Sequence, residues 1–343
     1  MALIPTTILT GFLGAGKTTL LNRILQEPHG FRIAVIENEF GPENIDNEIL
    51  VQDSSEQIIE MNNGCICCTV RGDLIVGLTA LAARRDAGEL QFDRLVIETT
   101  GLANPGPVAQ TFFIDDAVAS QYMLDAVITV VDANHAMQQL DDHEEAQRQI
   151  GFADRILISK SDLVTDEAMQ RLTARIQRIN PRAAIGKSAF GMTPIGDILD
   201  IRGFNLNDKL DIDPAFLSEE SDHDHDHDHD CDEHAGHDLH HSGHTDDIKA
   251  FVFKSLRPFD TARLDDFLGG LVQVYGPRML RYKGVLAVDG ADRKVLFQGV
   301  HQIMGSDIGA RWGDTEKRES KLVFIGKNLP EEIFIHGLEQ CLV

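Results

Sequence analysis

A glycine-rich segment near the start of the chain restricts the possible folds more than any other feature. It reads Gly-Phe-Leu-Gly-Ala-Gly-Lys-Thr from Gly11 to Thr18, which fits the pattern G-x-x-x-x-G-K-[ST]. A β-rich run, Thr6 to Thr10, leads into it, and a stretch of helical composition, Thr18 to Gln26, follows it. This order of strand, loop and helix predicts a phosphate-binding loop in an α/β domain.

The residue types in the loop suit triphosphate binding. The glycines let backbone N–H groups turn toward a β-phosphate, and the helix presents its positive N-terminus. We expect Lys17 to reach the β- and γ-phosphates and the Thr18 hydroxyl to ligate Mg²⁺. The predicted nucleotide-binding residues of this segment are Gly11, Gly14, Ala15, Gly16, Lys17, Thr18 and Thr19.

Two later segments add candidate nucleotide ligands. Ser159-Lys160-Ser161-Asp162 follows the apolar run Ile156 to Ile158; the Asp162 carboxylate can accept from both the ring N–H and the amine of guanine, so Ser159, Lys160 and Asp162 favour GTP. Glu98 follows the strand-like Leu95 to Ile97 and precedes Thr99-Thr100-Gly101. We predict that Glu98 binds a Mg²⁺ water or the catalytic water, with Asp132 as the competing candidate.

Apolar runs alternate with helical patterns over the first two hundred residues, which predicts one α/β domain with a mostly parallel sheet. The expected helices include Ala136 to Ile150 and Asp166 to Ile179. After residue 248, strand-like runs follow one another, including Val285 to Val288, so we expect a small α+β domain with a largely antiparallel sheet. The predicted division is 1–205, 206–247 and 248–343.

The segment between the two domains carries most of the charge. The chain has a net charge of −24, and Asp208 to Asp247 holds fifteen Asp and Glu against one Lys, a net of −14. Nine of the fourteen histidines lie in the same segment, and because it contains almost nothing apolar we expect a solvated linker. Its imidazoles favour binding of Zn²⁺, Ni²⁺ or Co²⁺. The candidate ligands are His223, His225, His227 and His229.

Three of the five cysteines lie together as Cys65-Ile66-Cys67-Cys68, just before a helix expected near Val70. A helix N-terminus favours the thiolate, which is the form that binds Zn²⁺. Glu37 to Gly41 follows the second strand, where nucleotide-sensing switch segments lie. We expect Cys65, Cys67 and Cys68, with Glu37 or Glu39, to complete a tetrahedral metal site.

Charge and the N-terminal sequence limit the possible partners and location. The acidic balance argues against nucleic acid and anionic membranes as partners. No secretory signal is evident after Met1, and no apolar run reaches about eighteen residues, so we expect a soluble, cytoplasmic protein with no membrane span.

The combination of these motifs resembles the CobW-type P-loop GTPases. The resemblance rests on the phosphate loop, Glu37 to Gly41, Gly64 to Cys68, Glu98 to Gly101 and Ser159 to Asp162, and it runs over the whole chain. It implies a metallochaperone with GTP or GDP and Mg²⁺ at the loop, metal at the cysteines, slow intrinsic hydrolysis and a CobW C-terminal-type domain. It also implies oligomerisation linked to nucleotide or metal.

We therefore expect a GTPase that couples GTP binding and hydrolysis to delivery of a transition metal, most directly Zn²⁺, to an unidentified client metalloprotein. Lys17, Glu39 and Glu98 are the candidate catalytic residues. The alternatives are a cobalt chaperone in cobalamin or nitrile hydratase maturation, a P-loop kinase for a small metabolite, and a passive metal-storage protein.

Overall fold

The computed structural model of this chain describes residues 3–37, 48–51, 59–60, 70–188, 192–203, 246–313 and 315–343. An eight-stranded sheet occupies the first part and a five-stranded sheet the second. The strands of the first sheet are β1 (Ile4–Gly11), β2 (Ile33–Glu37), β3 (Glu48–Val51), β4 (Ile59–Glu60), β5 (Arg94–Glu98), β6 (Tyr122–Asp132), β7 (Arg155–Ser159) and β8 (Ala184–Ser188).

The first sheet is parallel over most of its width, as the sequence predicts. Its order is β4-β3-β2-β5-β1-β6-β7-β8, and every pair from β2 to β8 runs parallel. The strands β3 and β4 form an antiparallel extension on the β2 edge. The carboxyl ends of the parallel strands therefore meet at one edge, which is where open α/β sheets bind ligands.

Helices pack on both faces of this sheet. They are α1 (Lys17–Gln26), α2 (Val70–Asp86), α3 (Pro105–Ile114), α4 (Asp116–Ala119), α5 (Ala136–Asp142), α6 (Glu144–Phe152) and α7 (Asp166–Ile179). Leu20 and Leu21 of α1 pack on one face, whereas Leu78, Ala109 and Ile176 of other helices pack in the core on the opposite face. Within the described ranges, no helix is long and apolar enough to cross a bilayer.

The second sheet is antiparallel throughout its described pairings, again as predicted. Its strands are β9 (Ile248–Ser255), β10 (Met279–Leu286), β11 (Arg293–Val300), β12 (Ile303–Arg311) and β13 (Ser320–Lys327), in the order β12-β11-β10-β13-β9. Two helices, α8 (Thr261–Tyr275) and α9 (Glu331–Gln340), pack on one face through an aromatic cluster that includes Phe251, Phe324 and Phe334.

The opposite face of the second sheet packs on the first domain. Val252, Leu280 and Ile325 belong to the same buried cluster as Ile150 of α6. Gly151 allows this approach, because a Cβ there would lie 2.8 Å from Leu280 Cδ1. The two sheets are thus joined through α6.

A buried ion pair reinforces this junction. Arg281 Nη2 of β10 lies 2.6 Å from Asp154 Oδ1, and Arg182 Nη2 lies 3.6 Å from the same oxygen. Asp154 Oδ2 accepts from the backbone N–H of Val127 at 2.9 Å. Burial opposes ionisation of Asp154, but the charges of Arg281 and Arg182 outweigh it and hold the pKa of the carboxyl below its usual range.

Two element predictions differ from the structure, and one strand was not predicted. The single helix expected over Ala136 to Ile150 is two helices, because His143 takes an extended conformation (φ −134°, ψ 115°) between α5 and α6. Only Val285 and Leu286 of the strand expected over Val285 to Val288 belong to a strand, β10, which begins at Met279 and ends at Leu286. The edge strand β12 gives no apolar alternation, since most of its residues are exposed.

Candidate nucleotide site

The predicted phosphate loop lies at the carboxyl end of β1. Gly11 ends the strand with φ 142°, and a Cβ there would lie 2.3 Å from the carbonyl oxygen of Val130 on β6. Only glycine fits at this position. Gly14 and Gly16 also have positive φ, at 72° and 99°, and α1 begins directly after Gly16. No acidic residue lies in the first turn of α1, so the helix N-terminus is suited to an anion.

The Lys17 side chain bends back over the loop. Its ammonium donates to the carbonyl of Gly11 at 2.9 Å and to that of Phe12 at 3.4 Å. Burial lowers the pKa of Lys17, and the nearby Glu98 carboxylate opposes that shift. A largely buried cation is therefore held at the loop by two backbone carbonyls, and a cation in this position can pair with phosphate oxygens.

Thr18 and Glu98 meet at the same edge. The Thr18 hydroxyl donates to Glu98 Oε1 at 3.0 Å, although eighty residues separate the two in sequence. Glu98 ends β5, beside Leu9 of β1. A hydroxyl and a carboxylate are oxygen ligands of the type that Mg²⁺ takes, so this pair fits the predicted cation.

Asp132, the competing candidate, has other partners. It ends β6, and Oδ2 accepts from Lys160 Nζ at 2.7 Å and lies 3.0 Å from His135 Nδ1. Burial raises the pKa of Asp132, but the hydrogen bonds from Lys160 and His135 outweigh it and lower the pKa overall. The carboxylate thus anchors Lys160, while Glu98 contacts the loop threonine.

The predicted base-binding segment is joined to the phosphate loop by two contacts. Ser159, at the end of β7, donates through Oγ to the carbonyl of Ala15 at 2.7 Å. Lys160 has φ 52° and donates to the carbonyl of Gly14 at 2.9 Å. Asp162 is exposed in a short 3₁₀ turn just beyond. Its carboxylate is therefore available to a base lying beside the loop.

Gly101 brings the segment after Glu98 against the phosphate loop. A Cβ on Gly101 would lie 2.7 Å from the backbone nitrogen of Leu13. Sequence reasoning missed the residue that holds this segment from behind, Gln149 of α6, whose side chain donates to the carbonyls of Gly101 and Ala103. It also missed Ser188, which ends β8 beside Ser159. The packing of α6 places Gln149 and the sheet order places Ser188, and neither is visible as a sequence motif.

The antiparallel strands β3 and β4 bring the chain that precedes the cysteine motif back to the edge where β2 ends. Glu37 ends β2 beside Glu98 in the register. Since β3 runs back from this edge and β4 returns to it, the chain leaves Glu60 at the edge where β2 ends. The cysteine motif begins five residues later in sequence.

The other predicted metal ligands and one catalytic candidate lie outside the described residues. These are Glu39, Cys65, Cys67, Cys68, His223, His225, His227 and His229. For the part of the chain that is described, no group of three His, Cys, Asp or Glu side chains is placed to hold a metal ion. Thr19 lies exposed in the first turn of α1, next to Thr18.

Together, the loop, Lys17 and the Thr18–Glu98 pair on a parallel sheet define a nucleotide-binding domain of the P-loop class. Residues 5–187 match the family described as CobW/HypB/UreG, nucleotide-binding domain, and residues 248–342 match the cobalamin synthesis protein CobW C-terminal domain. The chain belongs to the CobW family.

Similar proteins match this chain over nearly its whole length. The chain is 42% identical over 332 residues to the zinc chaperone YjiA of Escherichia coli K12, covering 96% of each. It is 30% identical over 401 aligned positions to zinc-regulated GTPase metalloprotein activator 1 of Dictyostelium discoideum, covering 99% of this chain and 80% of the relative. The crystal structure of the Zn(II)-bound YjiA GTPase from E. coli superposes with a TM-score of 0.78 at 35% identity and complete coverage of both chains.

Proposed function

We propose that this protein is a GTP-hydrolysing metallochaperone that delivers Zn²⁺ to a client metalloprotein. The observation that carries the proposal is the meeting of Lys17, Thr18 and Glu98 at one sheet edge. The strands β2 and β4 end at the same edge. The candidate metal ligands lie at the end of β2 and in the sequence that follows β4, so we propose that the metal binds near the nucleotide. The zinc chaperone and zinc-regulated GTPase named among the relatives support the activity and the cargo.

Hydrolysis requires water to attack the γ-phosphorus while the bond to the β–γ bridging oxygen breaks, giving GDP and phosphate. Lys17 would neutralise charge on the β- and γ-oxygens, and Glu98 would orient a water beside Thr18. Mg²⁺, held by Thr18, would supply further positive charge at the phosphates. Glu39 stays a candidate for positioning the attacking water, and Asp162 for selecting guanine.

The metal ligands we propose are Glu37, Cys65, Cys67 and Cys68, because three thiolates and one carboxylate complete a tetrahedral Zn²⁺ site. The histidines of 206–247, between the proposed domains 1–205 and 248–343, would form a weaker store that exchanges metal quickly. Thiolate and imidazole ligands also bind Co²⁺ and Ni²⁺, so metal analysis of protein purified from its own cells decides the cargo.

Three further features belong to the proposal. Metal binding by Cys65, Cys67 and Cys68 requires that they stay reduced, which supports a cytoplasmic location. A client metalloprotein must accept the metal after hydrolysis. Self-association that depends on nucleotide or metal would follow if the shared edge contacts a second copy.

Coupling between the two ligands gives a direct test. If γ-phosphate orders the segment after β2, GTP must tighten Zn²⁺ binding, and Zn²⁺ must then tighten GTP binding by the same factor. A coupling of about 5- to 150-fold is typical of allosteric proteins. We expect calorimetric titration to show GTP binding more tightly in the presence of Zn²⁺, with equal GTP affinities refuting the coupling.

Two variants assign the effect to its residues. Cys67→Ala should abolish the influence of Zn²⁺ on GTP affinity, whereas Cys341→Ala, a matched change at a buried cysteine of the second domain, should preserve it. Deleting Asp222 to His244 should lower the number of bound metal ions and leave GTP binding intact. Loss of GTP binding on that deletion would contradict the proposed linker.

A further inference from the structure

The Gln149 side chain connects α6 to the segment that borders the phosphate loop. It is 1% exposed, and its Nε2 donates to the carbonyls of Gly101 and Ala103, both at 3.1 Å. One neutral amide thus uses both of its protons on the turn that follows Glu98 and Thr99. An apolar side chain of the same length could fill the space but would leave both carbonyls without these donors.

The segment is held from its other end by β1. The backbone N–H of Thr99 donates to the carbonyl of Leu9 at 2.9 Å, and the Thr99 hydroxyl donates to that of Thr10 at 2.8 Å. Between these contacts and Gln149, the backbone of Gly101 lies against Leu13 of the phosphate loop. Gln149 therefore bonds the same segment that approaches the phosphate loop.

The helix that carries Gln149 is itself fixed at several points. The Thr129 hydroxyl donates to the carbonyl of Gln149 at 2.7 Å. Asn180 Nδ2 donates to the carbonyls of Ile150 and Ala153 at the end of α6, at 2.8 and 2.9 Å. His143, just before the helix, stacks on Phe12 of the phosphate loop with ring centroids 4.7 Å apart. These contacts fix α6 relative to both the phosphate loop and the segment from Gly101 to Ala103.

We propose that Gln149 is a positioning residue for GTP hydrolysis, which fixes the backbone from Gly101 to Ala103 against the phosphate loop in the arrangement that hydrolysis requires. The inference rests on the proposed GTPase function. The hydrogen bonds described for the Gln149 side chain go to Gly101 and Ala103 and not to Lys17 or Thr18, so it acts through the segment that follows Glu98. Its loss should therefore affect kcat more than the binding of GTP.

The test replaces Gln149 with methionine, which is similar in length but has no N–H donor. We expect Gln149→Met to lower kcat about tenfold, the order expected from misplacing one catalytic segment, with KM for GTP within about twofold of the wild type. Released phosphate is measured at steady state over a range of GTP concentrations, which gives kcat and KM, and binding is measured separately with a fluorescent GTP analogue.

Gln147→Met is the matched control. Gln147 lies two residues earlier on α6 and is also buried; it donates to the carbonyl of Leu140 at 2.8 Å and accepts from the backbone N–H of Ile248 at 3.2 Å, so it also makes two hydrogen bonds, neither of them to the phosphate loop or to Gly101–Ala103. Both variants should lose similar thermal stability, but Gln147→Met should keep wild-type kcat. Equal kcat losses in the two variants, an unchanged kcat in Gln149→Met, or an increase in KM alone would each overturn the positioning role. Absence of hydrolysis in the wild type would instead refute the proposed function itself.

Discussion

Replacing Arg281 with methionine tests how strongly the two domains are held together. The guanidinium is 3% exposed, pairs with Asp154 at 2.6 Å, and donates to the carbonyls of Phe152 and Gly203 at 2.9 and 3.0 Å. Methionine keeps most of the length and apolar volume of the stem, so the change mainly removes the charge and its donors. Asp154 would then keep Arg182, at 3.6 Å, as its remaining countercharge.

The expected loss follows from the burial of the carboxylate. Removing one partner of a buried ion pair costs about 3–5 kcal/mol, because the other charge stays desolvated. Arg182 still offsets part of that cost, and Asp154 keeps its bond from Val127. We therefore expect Arg281→Met to lower the free energy of unfolding by about 3 kcal/mol, near the lower limit of that range.

Urea unfolding measures this loss with two probes. Far-UV circular dichroism follows the helices, and the fluorescence of Trp312, the only tryptophan, follows the second domain. The control is Arg311→Met, whose ion pair with Asp292 is 79% and 63% exposed and should contribute less than about 1 kcal/mol. A loss below about 1 kcal/mol for Arg281→Met would refute the reasoning from burial.

The same ion pair predicts a pH dependence. Because the folded-state pKa of Asp154 is lowered, the carboxylate stabilises the fold above its unfolded pKa of about 3.9, and this contribution is lost as the pH falls through the folded value. Arg281→Met should weaken that lowering. The wild type and the variant should therefore differ more in stability at neutral pH than below about pH 4, and a constant difference across that range would contradict this assignment.

Two further predictions concern the nucleotide site. Ser159→Ala removes the 2.7 Å bond to Ala15 and should weaken GTP binding about fivefold, measured with a fluorescent analogue; unchanged affinity would show that this bond does not support the loop. Thr18→Val removes the hydroxyl that faces Glu98 and should make GTP affinity nearly independent of Mg²⁺. Titrations with Mg²⁺ and with EDTA measure that dependence, and a wild-type response to Mg²⁺ would contradict the assignment of Thr18.

The parts of the fold that depend on local chemistry could be predicted from the sequence. The phosphate loop needs glycine where Gly11 approaches Val130, and that requirement is visible as a motif. The parallel sheet follows from continuous apolar runs, because its strands are buried on both faces. Glu98 could be placed near Thr18 because both follow strands whose carboxyl ends share an edge.

The parts that depend on contacts between distant segments could not be predicted. Gln149 belongs to an ordinary amphipathic helix, and its two carbonyl partners lie 46 and 48 residues earlier in the chain. The break at His143 carries no proline or glycine signal. The edge strand β12 is exposed and contains Gly305 and Gly309, so neither burial nor side-chain alternation reveals it. Each of these features arises from tertiary packing.

The packing of the second sheet on α6 limits how such proteins can be recombined. Val252, Leu280 and Ile325 share one core with α6, and Gly151 leaves no room for a larger residue under Leu280. A chimera that takes its C-terminal domain from a relative must therefore also take the helix surface on which that domain rests. A functional hybrid is accordingly best constructed by exchanging a segment that ends before Asp246, because none of these core residues is then replaced and Asp246 keeps its 2.6 Å ion pair with the buried Arg175.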